Sequence, residues 1–183
     1  MNMDDIRFWS KISNRIMKQA QEAVKPLVGL KEAGEVVKMG ADGTPTKLID
    51  ILAEEKVVEV LEDVGRPITL VSEEIGELKI GKGPSEAVFV VDPLDGTRNA
   101  IKNIPAYGIS VAVADPSGIL NSATSINELT IDDVEIGFVK NFATDDIYNA
   151  QRGGGCISQR KSYISFSKNR CFRFIHRSLH IPS

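Results

Sequence analysis

What this chain lacks is unevenly placed. Residues 1–152 contain no cysteine and no histidine; Cys156, Cys171, His176 and His180 all fall between Gly153 and Ser183. A serine such as Ser110 therefore has no imidazole base in the body of the chain, and serine-nucleophile catalysis is unsupported. The same closing stretch has no Asp or Glu but six of the 22 Lys and Arg, so residues 1–152 carry −9 while the whole chain carries −3. Such a shift marks a nucleic-acid arm, a linker, or sequence foreign to the fold. No apolar run approaches the roughly 18–20 residues of a membrane span. Met1-Asn-Met-Asp-Asp5 has neither the basic flank nor the apolar stretch of a signal peptide, and a cytoplasmic location is the expectation.

What is present suits one ordinary domain: 183 residues, 42% of them hydrophobic. Ile6, Trp9, Ile12, Ile16, Ala20, Ala23 and Leu27 recur every three or four positions, which predicts an amphipathic helix over 5–28. Residues 38–46 have loop chemistry. Thr46 is placed to cap a second helix whose inner side is Leu48, Ile51, Leu52, Val58 and Leu61, with Asp50 in its first turn. Strands are expected at 68–71, 87–91, 108–114, 134–141 and 146–150, with a turn at 115–118 and a turn or break at 153–155. Helices precede strands, so an α+β layered domain with a mainly antiparallel sheet is favoured over a doubly wound parallel one.

The decapeptide Val88-Phe-Val-Val-Asp-Pro-Leu-Asp-Gly-Thr97 says most about chemistry. A β-branched run delivers Asp92 to a strand end, Pro93 cannot donate to the ladder, and Asp95 returns toward Asp92 across the turn. No Lys or Arg separates the two carboxylates. They repel each other unless protons or cations intervene, and Mg²⁺ is the usual cation for an all-oxygen site. Asp50 and the pair Glu73-Glu74 likewise stand where an element begins or ends. Taken singly these acids are explained by helix charge, solvation or turn formation; taken together they converge.

Val90-Val-Asp-Pro-Leu-Asp-Gly-Thr97, preceded by Val71-Ser-Glu-Glu74 and by Asp42-Gly-Thr-Pro-Thr46 with Asp50, resembles the inositol monophosphatase and fructose-1,6-bisphosphatase superfamily, most of all its archaeal dual-activity members. The resemblance covers about residues 5–155, the N-terminal portion of that sugar-phosphatase fold, with two long helices. It implies hydrolysis of a sugar phosphomonoester, inositol 1-phosphate or fructose 1,6-bisphosphate, by water activated on two or three Mg²⁺ ions. Position by position it implies Glu73, Asp92 and the Leu94 carbonyl as ligands of a first ion, with Asp92 and Asp95 holding a second. Asp50 and Thr97, with Glu73, would activate the water; the Gly96 and Thr97 amides would cradle the phosphate. Arg98 is placed to touch a second phosphate, and Lys38 and Lys47 flank a loop that in the family closes over the metals. A homodimer is the family's common assembly. A 3′-phosphoadenosine 5′-phosphate phosphatase shares these motifs and is the alternative substrate reading.

Family members continue into a second α/β layer with a further metal-binding Asp. After Gly155 they read approximately G-A-Y-L-N-G-K-x-I-S-V-S, whereas this chain reads Cys156-Ile-Ser-Gln-Arg-Lys-Ser-Tyr-Ile-Ser-Phe-Ser-Lys168. One permitted codon choice for Gly155–Lys168, read one base later, restores the family wording. The expectation is therefore a metal-binding phosphatase domain over 1–152 and a frameshifted basic tail over 153–183. On that reading the tail's Cys and His are no zinc site and its charge no nucleic-acid arm. The chain alone would be a catalytically impaired fragment.

Overall fold

The computed structural model describes residues 1–40, 43, 45–117 and 129–158. Asn2 starts the first helix: its side-chain oxygen accepts from the Asp4 and Asp5 amides at 2.9 Å, and the Asp5 carboxylate answers the Asn2 amide. Helix α1 (Met3–Val24) buries Ile6, Trp9, Ser13, Ile16, Met17, Ala20 and Val24. The expected stripe is right in its middle and drifts at the ends. Ile12 and Ala23 are only half-buried, and Leu27 falls in a 3₁₀ turn that starts at Lys25, where Pro26 has no N–H to extend the helix.

The loop expected at 38–46 is in part a hairpin, β1 (Val36–Met39) against β2 (Pro45–Lys47), a two-stranded sheet of its own. Asp42 and Thr44 lie outside the described residues. Thr46 does not cap the next helix, because its hydroxyl is already committed to the Glu74 carboxylate from within β2. Lys47 takes the cap position instead, and the Asp50 carboxylate accepts its amide at 3.2 Å. Helix α2 (Leu48–Glu62) buries Ile49, Asp50, Ala53, Glu54, Val57, Val60 and Leu61. Of the inner residues expected, only Leu61 is among them; Leu48, Ile51, Leu52 and Val58 are half-buried. Apolar residues lie on both sides of this helix, so periodicity does not choose a face and packing against the sheet does.

That sheet has seven strands: β3 (Ile68–Ser72), β4 (Gly76–Ile80), β5 (Ala87–Asp95), β6 (Gly108–Ala114), β7 (Val134–Asn141), β8 (Ile147–Gln151) and β9 (Gly155–Ser158). Their order is β4-β3-β5-β6-β7-β8-β9. Among the described strands β3 and β5 make the one parallel pair; the other neighbours run antiparallel, which is the α+β architecture expected. Strands β4 and β9 are additions to the sequence reading. β9 begins past residue 152 and pairs with β8, Gln151 facing Gly155 and Tyr148 facing Ser158. The rest of the basic tail, 159–183, and the end of the turn at 115–118 lie outside the described residues.

Helices α1 and α2 cover one face of the sheet. Trp9, Ile16, Val57 and Leu61 share a core with Phe89, Val91, Ile109, Val111 and Val113, and Trp9 meets the Phe89 ring edge-on at 5.7 Å. Each such side chain contributes about 1.5–3 kcal/mol by burial, which fixes β5 and α2 against each other and so fixes what stands at their ends. Among the described residues no helix is long and apolar enough to cross a membrane.

Candidate active site

Strands β3 and β5 run in parallel with Ser72 opposite Val91, so where β3 ends the next residues of the two strands, Glu73 and Asp92, stand side by side while β5 runs on to Asp95. Carboxyl ends of parallel neighbours are where open sheets place ligands. Pro93 does not end the strand, contrary to the sequence reading. It interrupts the pairing: Asp92 faces Ser110 and Asp95 faces Gly108, three steps on β5 against two on β6. Proline supplies no N–H, the pairing lapses over Pro93 and Leu94 opposite Ile109 alone, and a bulge results that re-aims the side chains around it. The buried Leu94 then turns its amide onto Asp92 Oδ1 at 3.2 Å.

Gly96 ends the bulge with φ +84°, and a Cβ there would come within 2.6 Å of the Ala106 carbonyl oxygen. Only glycine satisfies both demands. It lets the chain reverse into the short helix α3 (Thr97–Ile101), which sets the Gly96 and Thr97 amides at a helix start. The Thr97 hydroxyl lies 2.6 Å from Asp50 Oδ1, to which it donates, and 3.2 Å from the Leu94 carbonyl oxygen. Asp50, 7% exposed, thus links α2 to α3. Burial pushes its carboxyl above the usual range; the Thr97 hydroxyl, then the Lys47 amide and ammonium, act the other way.

Asp92 is displaced furthest. Burial first, then the charges of Asp95 and Glu73, push its carboxyl up to about 8; the Leu94 amide opposes this and Asp50 adds to it. A cavity of about 120 Å³ is lined by Lys47, Asp50, Glu73, Glu74, Asp92, Leu94 and Thr97. The structure therefore gathers five of the residues singled out from sequence, Asp50, Glu73, Asp92, Leu94 and Thr97. Asp95 is exposed and lines an adjoining hollow of about 380 Å³ with Tyr107, Ser110, Lys140, Asn141 and Tyr148. Arg98 is exposed beside the turn. Among the described residues no three acids stand close enough to grip one metal ion. The donor set is nonetheless hard oxygen throughout, Lys47 is the one cationic side chain lining the cavity, and Asp92 takes up a proton where a cation would relieve it. Those properties fit a divalent cation of the Mg²⁺ kind.

Sequence reasoning passed over Glu54, which is 2% exposed on α2 and accepts a hydrogen bond from the Ser72 hydroxyl. Among the described residues its Oε2 has no hydrogen-bond partner. Burial raises its carboxyl above the ordinary range, against the Ser72 hydroxyl. The signal was available: Asp50 and Glu54 are four apart and share a helix face.

The description "Inositol monophosphatase family" belongs to the family model that matches residues 5–176. The chain belongs to that family. A curated relative, the fructose-1,6-bisphosphatase/inositol-1-monophosphatase of Methanothermobacter thermautotrophicus, is 51% identical over 173 residues, 92% of this chain and 59% of the relative. The bifunctional NADP phosphatase/NAD kinase of Methanococcus maripaludis is 46% identical over 147 residues, 80% of this chain and 26% of its own. Among solved structures, PH1897 from Pyrococcus horikoshii, with similarities to inositol-1 monophosphatase, superposes with a TM-score of 0.66 at 27% identity, covering 88% of this chain and 54% of that one. The MJ0109 gene product, an inositol monophosphatase-fructose 1,6 bisphosphatase, gives 0.65 at 26%, covering 82% and 52%. The chain thus spans little more than half the length of these solved members of the inositol monophosphatase family, and its family match continues eighteen residues past β9.

Proposed function

We propose that the acidic cavity is the site of an Mg²⁺-dependent phosphomonoester hydrolase acting on a small sugar phosphate, inositol 1-phosphate or fructose 1,6-bisphosphate. The observation that carries this is the cavity where Asp50, Glu73, Glu74 and Asp92 meet with Lys47 as its one cationic side chain, a burial and crowding of acids that pushes the Asp92 carboxyl up to about 8. Glu73, Asp92 and the Leu94 carbonyl are the residues to hold one ion, and Asp92 with Asp95 a second. Bound there, Mg²⁺ lowers the pKa of water and neutralises phosphate charge. The Thr97 hydroxyl, already donating to Asp50, can hand that proton over while taking one from an attacking water. Asp50 is suited to receive it because burial raises its proton affinity. The Gly96 and Thr97 amides point a helix start at the phosphoryl oxygens. The same reading makes the protein a cytoplasmic enzyme of free metabolites, with a homodimer its expected assembly.

The test is phosphate release from inositol 1-phosphate, fructose 1,6-bisphosphate, 3′-phosphoadenosine 5′-phosphate and NADP, with Mg²⁺ and with a chelator. Release from the sugar phosphates that needs Mg²⁺ and vanishes in Asp92→Asn is the expected result. The NADP phosphatase relatives make a nucleotide the second substrate class, and preference for NADP or the adenosine bisphosphate would transfer the proposal to it. Release that survives chelation would remove the metal from the account.

A further inference from the structure

We infer that Glu54 is a positioning residue for Glu73, acting through the strand end from which Glu73 emerges. This rests on the reading of Glu73 as a metal ligand. Helix α2 carries two buried carboxylates one turn apart, Asp50 and Glu54. Asp50 enters the cavity and holds Thr97. Glu54 reaches the β3–β4 turn, where its Oε1 takes the hydrogen bond from the Ser72 hydroxyl and the nearby Ile75 amide favours its charged form. Ser72 and Ile75 bracket Glu73 and Glu74, so one side chain from the helix holds the Ser72 end of the turn that presents them and lies near its Ile75 end.

An apolar residue would be the ordinary filling at this place on α2, between Ala53 and Val57 and 2% exposed. Glu54 fills it with one oxygen bonded and the other, Oε2, without a hydrogen-bond partner among the described residues. What it supplies that an apolar side chain cannot is a fixed acceptor for Ser72. On the far side of the turn Thr46 of β2 donates to Glu74. Glu73 itself is exposed, standing between Ser72 and Glu74, the two residues these hydrogen bonds hold. Helix α2 therefore ties together the two parts of the site: its first turn holds the proton acceptor and its second turn fixes the edge of the metal-binding acids. Groups that hold a metal's ligands in place typically matter tenfold or more to its affinity.

Calorimetric titration of the full chain with MgCl₂, alongside thermal unfolding without metal, tests this. Ser72→Ala and Glu54→Ala should each weaken Mg²⁺ binding about tenfold. Glu54→Gln, whose amide oxygen still accepts from Ser72, should stay within about threefold of wild type. Circular dichroism of Ser72→Ala should match wild type. Should Glu54→Ala not fold, Ser72→Ala and Glu54→Gln decide. Wild-type affinity in folded Ser72→Ala overturns the inference, as does a Glu54→Gln that loses as much as Ser72→Ala. Glu73→Gln separates the two levels. A wild type that binds no Mg²⁺, or a Glu73→Gln that binds it fully, overturns the metal reading and this inference with it. Loss in Glu73→Gln with full binding in Ser72→Ala overturns the role of Glu54 alone.

Discussion

The two halves of the candidate site differ in how finished they are. Asp50 and Thr97 are joined by a 2.6 Å hydrogen bond, anchored on two helices, with Asp50 buried. Glu73, Asp92 and Asp95 share one sheet edge, and Asp92 pays for their charge by holding a proton up to about pH 8. Folding alone satisfies the first half, because a hydroxyl donor and a carboxylate acceptor complement each other. The second half has acceptors only, and no arrangement of carboxylates can satisfy carboxylates. On the proposed reading, the first half is the proton acceptor and the second awaits a cation.

Breaking the unfinished half should have the largest effect. Asp92→Asn removes the shared acid and should lower kcat by about 10³-fold or more, on the scale of losing a principal electrostatic group, while raising the metal-free Tm because the repulsion goes with it. A steady-state assay with a parallel thermal melt reads both; a lowered Tm would contradict the charge argument. Breaking the finished half should look different. Thr97→Ala should cut kcat about 10²-fold, within the range of general acid–base catalysis, and leave Mg²⁺ affinity within about twofold. A large change in Mg²⁺ affinity would merge the two halves that the comparison separates.

The pH dependence sharpens the contrast without a mutation. Asp92 in the fold holds its proton well above the ordinary 3.8 of an aspartate, so between those limits the native state binds more protons than the unfolded chain. The Asp92 contribution to stability is then fully present below about pH 4 and is lost as pH rises to about 8. Asp50, also raised, adds in the same direction. Thermal unfolding in chelator should show a falling Tm across that range in wild type and a flatter profile in Asp92→Asn. At the scaffold, Gly96→Ala forces a Cβ against the Ala106 carbonyl at a positive φ and should cost about 1–3 kcal/mol, read by urea unfolding. The smallest effect is expected at exposed Arg98: Arg98→Ala should raise KM for fructose 1,6-bisphosphate a few-fold and leave inositol 1-phosphate unchanged, about 1 kcal/mol in all.

Legibility from sequence followed how local the determinant is. Asp92, Asp95 and Gly96 are read from ten consecutive residues because strand, proline and glycine each act on their neighbours. The helix starting near residue 5 and the strand at Gly108–Ala114 are visible for the same reason. The bulge at Pro93 is not, since whether pairing resumes beyond a proline depends on β6, some fifteen residues on. The buried face of α2 was misread because apolar residues on both sides make the face a tertiary decision. Thr46 was misread because its preferred local role, a cap, lost to Glu74, 28 residues away. Glu54 was missed because a carboxylate in a helix reads as solvent-facing until the sheet beneath it is known.

If the acids at the ends of β3 and β5 are held for a divalent cation, that cation must stabilise the fold. Thermal unfolding of the full chain at pH 8.5, with and without millimolar Mg²⁺, tests it most directly, because there Asp92 is ionised and its repulsion is greatest. A Tm that rises with Mg²⁺ in wild type and stays unmoved in Asp92→Asn is the predicted result. A wild-type Tm indifferent to Mg²⁺ would contradict the account.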